Sequence, residues 1–241
     1  MIAAIYASLA VVFVLLFILE RVFPDQSLPF NRRWFIRALV MNMVQLGLML
    51  LFALWLNPWL GQYALFSIGE SWPPILGGMA AAILSSFFQY GWHRAEHASD
   101  FLWRTFHQLH HSPSRIDILA TDYTHPLDYI VYTLFNSFAA IVLLGLNAEG
   151  IAWSVFVYGV NNYYAHCNIR SPRWLGLVVQ RPEMHRVHHK LGHHAQNYGF
   201  PVWDVMFGTF CNPDRADFEV GFGGDREHQV AAMLAGKDVN A

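Results

Sequence analysis

Two histidine clusters of one form carry the chemistry legible in this chain. One reads His107-Gln108-Leu109-His110-His111, the other His185-Arg186-Val187-His188-His189. Each is His-x-x-His-His, with imidazoles at i, i+3 and i+4, positions that share one face of an α-helix. Three imidazoles on one helical turn serve no purpose as core and are costly as surface, but they suit a metal ion. One such cluster could be a solvated histidine-rich turn; two copies at the same spacing point to metal. His93 and His97 form an i, i+4 pair ahead of the first cluster, and His166 stands four residues after Asn162 ahead of the second. The chain thus repeats a unit weakly: an apolar run, a polar pair at its end, then His-x-x-His-His. The nine imidazoles of His93, His97, His107, His110, His111, His166, His185, His188 and His189 are too many for one ion and suit two. Imidazole ligation fits zinc, copper, iron or nickel, and no thiolate cluster competes. A pair of ions held by neutral imidazoles could activate O2 into an oxidant able to attack an unactivated C–H bond.

The elements that must position these residues are apolar helices. The chain has 241 residues, 55% hydrophobic and only 13% charged, about half the usual charged fraction, with a mean hydropathy of +0.29. Residues 2–19 carry no charge and span about 27 Å as a helix, nearly a bilayer's hydrocarbon thickness. They lack the basic start and cleavage site of a signal peptide, so a membrane helix is expected. Residues 38–60 and 73–92 are further uncharged runs. Gly77-Gly78 and Ala80-Ala81-Ala82 in the latter would let helices approach closely. Residues 129–146 and 151–165 read as a helical hairpin around Asn147-Ala148-Glu149-Gly150. Ser99 is expected to cap a helix running through His111, ended by Ser112-Pro113, and Pro182 to open the helix of the second cluster. From about Asp214 a mobile polar tail is expected. The fold class is therefore all-α: a multi-pass transmembrane helical bundle of four to five membrane segments under a histidine-rich helical cap. Its divisions are residues 1–72 as N-terminal membrane helices, 73–210 as the catalytic domain, and 211–241 as a polar tail.

Arginines fix the expected orientation. Arg21, Arg32, Arg33 and Arg37 follow the first run, Arg94, Arg104 and Arg115 the third, and Arg170, Arg173, Arg181 and Arg186 the hairpin. By the positive-inside rule every histidine cluster is cytoplasmic. The net charge of −2 gives no basic face for nucleic acid, and Cys167 and Cys211 suggest no disulfide framework.

The ordered boxes His93/His97, His107/His110/His111 and His185/His188/His189 resemble the fatty acid hydroxylase/sterol desaturase superfamily of integral-membrane non-haem di-iron oxygenases. Trp103, Ser112, His125-Pro126, Asn197-Tyr198-Gly199, Trp203-Asp204 and Phe207-Gly208-Thr209 match as well, so the resemblance covers about 73–210. It implies two iron ions, O2 as co-substrate, a lipid drawn from the bilayer, and electrons from a separate carrier, a small cytochrome or a ferredoxin with its reductase. The reaction would be hydroxylation or desaturation of a sterol, fatty acyl or related lipid. Asn162 departs from relatives that carry a histidine there, leaving an amide or water beside one iron. His193-His194 is left unassigned.

Two other readings account for less of the pattern. Residues 93–97 also match His-x-x-Glu-His, in which Glu96 would be the base of a membrane zinc peptidase, but this leaves both His-x-x-His-His clusters unexplained. A histidine-lined transporter or haem subunit would place histidines at mid-membrane, not at span ends. His125 reads as a turn histidine and Asn197 as a turn residue before Gly199. Asp204 reads either as a partner of a ligating imidazole or as a helix cap.

Overall fold

The computed structural model describes residues 1–193 and 195–239, so His194 lies outside the described residues. Among the described residues there are helices and no strands, apart from one isolated antiparallel bridge between Lys190 and Val220. Among the described residues, three helices are long and apolar enough to cross a membrane: α1 (Ile2–Val22), α2 (Arg32–Tyr63) and α5 (Pro126–Leu143). Much of α1 and α2 is exposed apolar side chain, Val14, Leu15, Leu50 and Leu54 among them. Such a surface is stable against lipid and not against water.

Two further long helices form an inner pair, α3 (Pro74–Ala98) and α6 (Ala148–His166). Small residues let them touch: Gly77, Gly78, Ala81, Ala82, Ser85 and Ser86 are buried on α3. A Cβ on Gly78 would come within 2.8 Å of the Gly150 carbonyl on α6, so glycine is needed for this approach. Between α3 and α5 runs α4 (residues 100–111), capped by the Ser99 hydroxyl, which accepts from the Leu102 N–H. Its middle, Trp103–His107, is a π-helical turn in which the Gln108 N–H reaches back five residues to the Trp103 carbonyl. Such a turn re-phases the helix locally and is common at functional sites. The second cluster sits on the short helix α7 (Pro182–His188), which opens on proline as its sequence requires. A last helix beside the site is α8 (Pro201–Phe207).

Buried polar ties fasten the membrane helices to the cap. Glu20, at the end of α1, accepts the backbone N–H groups of Ile118 (3.0 Å) and Asn168 (3.1 Å). Trp34 of α2 donates its indole N–H to Asp117 at 3.1 Å, and Asp117 pairs with Arg115 at 2.8 Å. The segment expected to be mobile from Asp214 is instead packed. Phe222 and Met233 enter the core built around Trp34, Leu109 and Tyr123. The Gly221 N–H donates to the His189 carbonyl and the Phe222 N–H to that of Ser112. A polar, glycine-rich average hid a few large apolar residues at the right spacing.

Candidate metal centre

The nine imidazoles gather at the cap ends of α3, α4, α6 and α7 and separate into two groups. His93, His97, His107, His111 and His188 form the first, and His110, His166, His185 and His189 the second; within each group the ligand atoms lie within 4.8 Å of one another. All are buried except His97, which is half-buried. Each triplet is divided. The i, i+4 pair of α4 (His107, His111) joins the first group while its i+3 residue, His110, turns to the second. The α7 triplet does the reverse, giving His185 and His189 to the second group and His188 to the first.

Hydrogen bonds at Nδ1 decide which nitrogen is free. Carbonyl oxygens only accept, so an imidazole nitrogen facing one must carry the proton. His93 Nδ1 donates to the Tyr198 carbonyl at 2.7 Å, His110 to Tyr123 at 3.3 Å, His166 to Asn162 at 2.8 Å and His188 to Gln196 at 2.8 Å. His107 Nδ1 faces Asp128 at 3.1 Å and Glu96 at 3.4 Å. The Nε2 atoms of His93, His110, His166 and His188 are therefore lone-pair acceptors. Those of His110 and His166 face each other at 3.4 Å, and those of His93 and His188 are buried with no hydrogen-bond partner. Converging lone pairs repel unless a cation lies among them, so the donor set fits metal ions. Burial, reinforced by neighbouring imidazoles, holds His111, His185, His188 and His189 far below the usual histidine range. They are neutral at pH 7, the ligating form.

The surrounding shell was only partly legible. Asp128, which receives the Thr124 hydroxyl at 2.7 Å as well as His107, carried no signal beyond an acidic residue in a first helical turn. Glu96 is fully buried against His107 and Asp128, where it meets no open space in which to activate water for a peptidase. His125 caps α5, its Nδ1 accepting the Leu127 N–H at 3.1 Å. Asp204 accepts from the Tyr198 N–H (2.9 Å) and the Thr209 hydroxyl (2.7 Å). It thus steadies the residue whose carbonyl holds His93, and touches no imidazole itself. Burial pushes its carboxyl up to about 6. Asn197 adopts a left-handed φ of 50° beside Gln196 at 63°, a turn that aims the Gln196 carbonyl at His188. Its side chain ties Met184 to Cys211, donating to both carbonyls and accepting the Cys211 N–H. His193 lies apart, 3.2 Å from the Gln196 side chain and exposed.

Beside both groups lies a cavity of about 200 Å³, walled by His93, His107, His110, His166 and His185 together with Asn162, Tyr132 and Tyr158. Against known sequences, the model of the family described as fatty acid hydroxylase matches residues 78–209. The chain belongs to that family. Fatty acid hydroxylases use iron. Ornithine lipid hydroxylase OlsE of Rhizobium tropici is 30% identical over 172 residues, covering 69% of this chain and 51% of that protein. The cholesterol 25-hydroxylase-like protein of Danio rerio is 30% identical, covering 56% of each chain. Sphinganine C4-monooxygenase 1 of Arabidopsis thaliana is 23% identical, covering 55% of this chain and 53% of its own. The chain spans about half the length of these curated relatives. No solved structure shows a significant match.

Proposed function

We propose that this member of the fatty acid hydroxylase family is a multi-pass membrane oxygenase that uses O2 and external electrons to hydroxylate or desaturate a lipid. The observation that carries the reading is the division of nine tethered imidazoles into two buried groups beside one cavity. His93, His97, His107, His111 and His188 would hold one iron, and His110, His166, His185 and His189 the other. Irons so held would supply O2 activation for attack on an unactivated C–H bond. The chain's own residues do the rest: five Nδ1 tethers orient their rings, and burial keeps His111, His185, His188 and His189 neutral.

The lipid-modifying names of the relatives support a lipid substrate, and the apolar faces of α1 and α2 support its entry from the bilayer. Arginine placement supports a cytoplasmic site, where a separate cytochrome or ferredoxin would deliver electrons. Residues 73–210 then form the catalytic domain, with 1–72 as membrane helices and 211–241 as the C-terminal segment. Elemental analysis of detergent-purified protein, paired with O2 uptake in the presence of reductant and a total-lipid extract, tests this. Near two irons per chain with lipid-dependent O2 uptake is expected. One zinc without O2 uptake would overturn it in favour of hydrolytic chemistry, and protein that takes up no metal from ample iron would remove its basis.

A further inference from the structure

Two carboxylates line the cavity, and they differ in how they are engaged. Asp128 is occupied by Thr124 and His107. Asp122 lines the same cavity and, among the described residues, makes neither hydrogen bond nor ion pair. Its side chain is half-buried. Burial pushes its carboxyl up to about 6, so it is ionised at neutral pH. No Lys or Arg shares the cavity wall. A partly desolvated carboxylate with no cation paired to it is costly to keep, and a cavity is where a ligand can supply one. Tyr129, Tyr158, Tyr163 and Asn162 line the same cavity, and their side-chain oxygens can accept the remaining protons of a multiply donating group.

Resting on the oxygenase reading of this site, we propose that Asp122 anchors a cationic, hydrogen-bond-donating group of the lipid substrate, an ammonium in preference to a neutral hydroxyl or an anionic head. The cavity is smaller than the roughly 300–1,000 Å³ of pockets that enclose whole drug-sized ligands. It therefore takes the polar group and the reacting segment, leaving the rest of the chain in the bilayer. An ammonium there replaces its lost hydration with charge-assisted bonds to Asp122, which neutral donors make more weakly.

Three ligands of one chain length isolate the head group. Full-length protein expressed with ample iron and purified in detergent is titrated with octylamine, 1-octanol and octanoate, with binding followed by tryptophan fluorescence and iron assayed in every sample. Octylamine should bind about tenfold more tightly than octanol, a difference of about 1.4 kcal/mol, with octanoate weakest. Asp122→Asn should bring octylamine level with octanol, while Asp122→Glu keeps the preference. Equal wild-type affinity for octylamine and octanol overturns the proposal, as does a preference that survives Asp122→Asn. Loss of iron in Asp122→Asn also overturns it, placing the carboxylate on the metals. If the Asn variant fails to fold, the wild-type comparison and the Glu variant decide. Wild-type protein that prefers octylamine but holds no iron supports the anchor while sinking the oxygenase reading, so the two fail separately.

Discussion

The two imidazole groups are made of the same parts with roles exchanged. In the first, α4 supplies the i, i+4 pair and α7 sends His188 across; in the second, α7 supplies the pair and α4 sends His110. Neither group can assemble on one helix, because each needs the other's i+3 residue. Docking of α4 on α7 is therefore part of building both sites. The backbone bonds from Gly221 to His189 and from Phe222 to Ser112 make the C-terminal segment a clasp on that docking. The groups differ in what the long helices add: α3 contributes His93 and His97 to the first, α6 only His166 to the second.

The exchange can be broken most directly at its crossing residues. His188→Ala and His110→Ala should each reduce activity to background. Pairing them shows which group each serves. His188→Ala alone should retain about one iron per chain; adding His111→Ala should leave that unchanged, whereas adding His185→Ala should remove it, since only residues of one site share their loss. The opposite pattern would show that each triplet stays with its own helix. Asp128→Asn acts one bond further out, weakening the hold on His107 Nδ1. Loss of such an outer partner costs roughly 10–100-fold in metal affinity or activity, readable as faster iron release to a chelator. His125→Ala, at the cap of the same helix α5, should leave iron release alone, and equal effects from both variants would deny Asp128 its role.

These contrasts also mark what the sequence could disclose. The spacing of His107, His110 and His111 is local, so their common origin on one turn was readable, as was the close approach of a neighbouring helix that Gly78 allows, though not that the neighbour is α6. The split of each triplet was not, because it depends on how α4 and α7 dock. The tethers on His93, His110 and His188 are backbone carbonyls, which every residue possesses and no motif marks. Asp128 is a side chain, but its meaning depends on His107, twenty-one residues away in the chain. Val220, Phe222 and Met233 were diluted by polar neighbours, so a packed clasp read as a tail.

The remaining asymmetry gives the smallest and sharpest prediction. Asn162 occupies the α6 position that corresponds to His93 on α3, and it lines the cavity. The second group thus has four imidazoles where the first has five, and its missing member lies on the cavity side. Catalytic metal sites keep a position open for substrate or water where structural sites are closed, so the four-histidine group is the one placed to meet a ligand in the cavity. Asn162→His should close that side. Iron should then resist a chelator several-fold better, up to roughly tenfold by the scale of ligand-shell effects, while lipid-dependent O2 uptake falls. Greater iron retention with undiminished turnover would move the open position to the five-histidine group. Unchanged retention would mean that the residue at 162 shapes the cavity wall and does not face the metal.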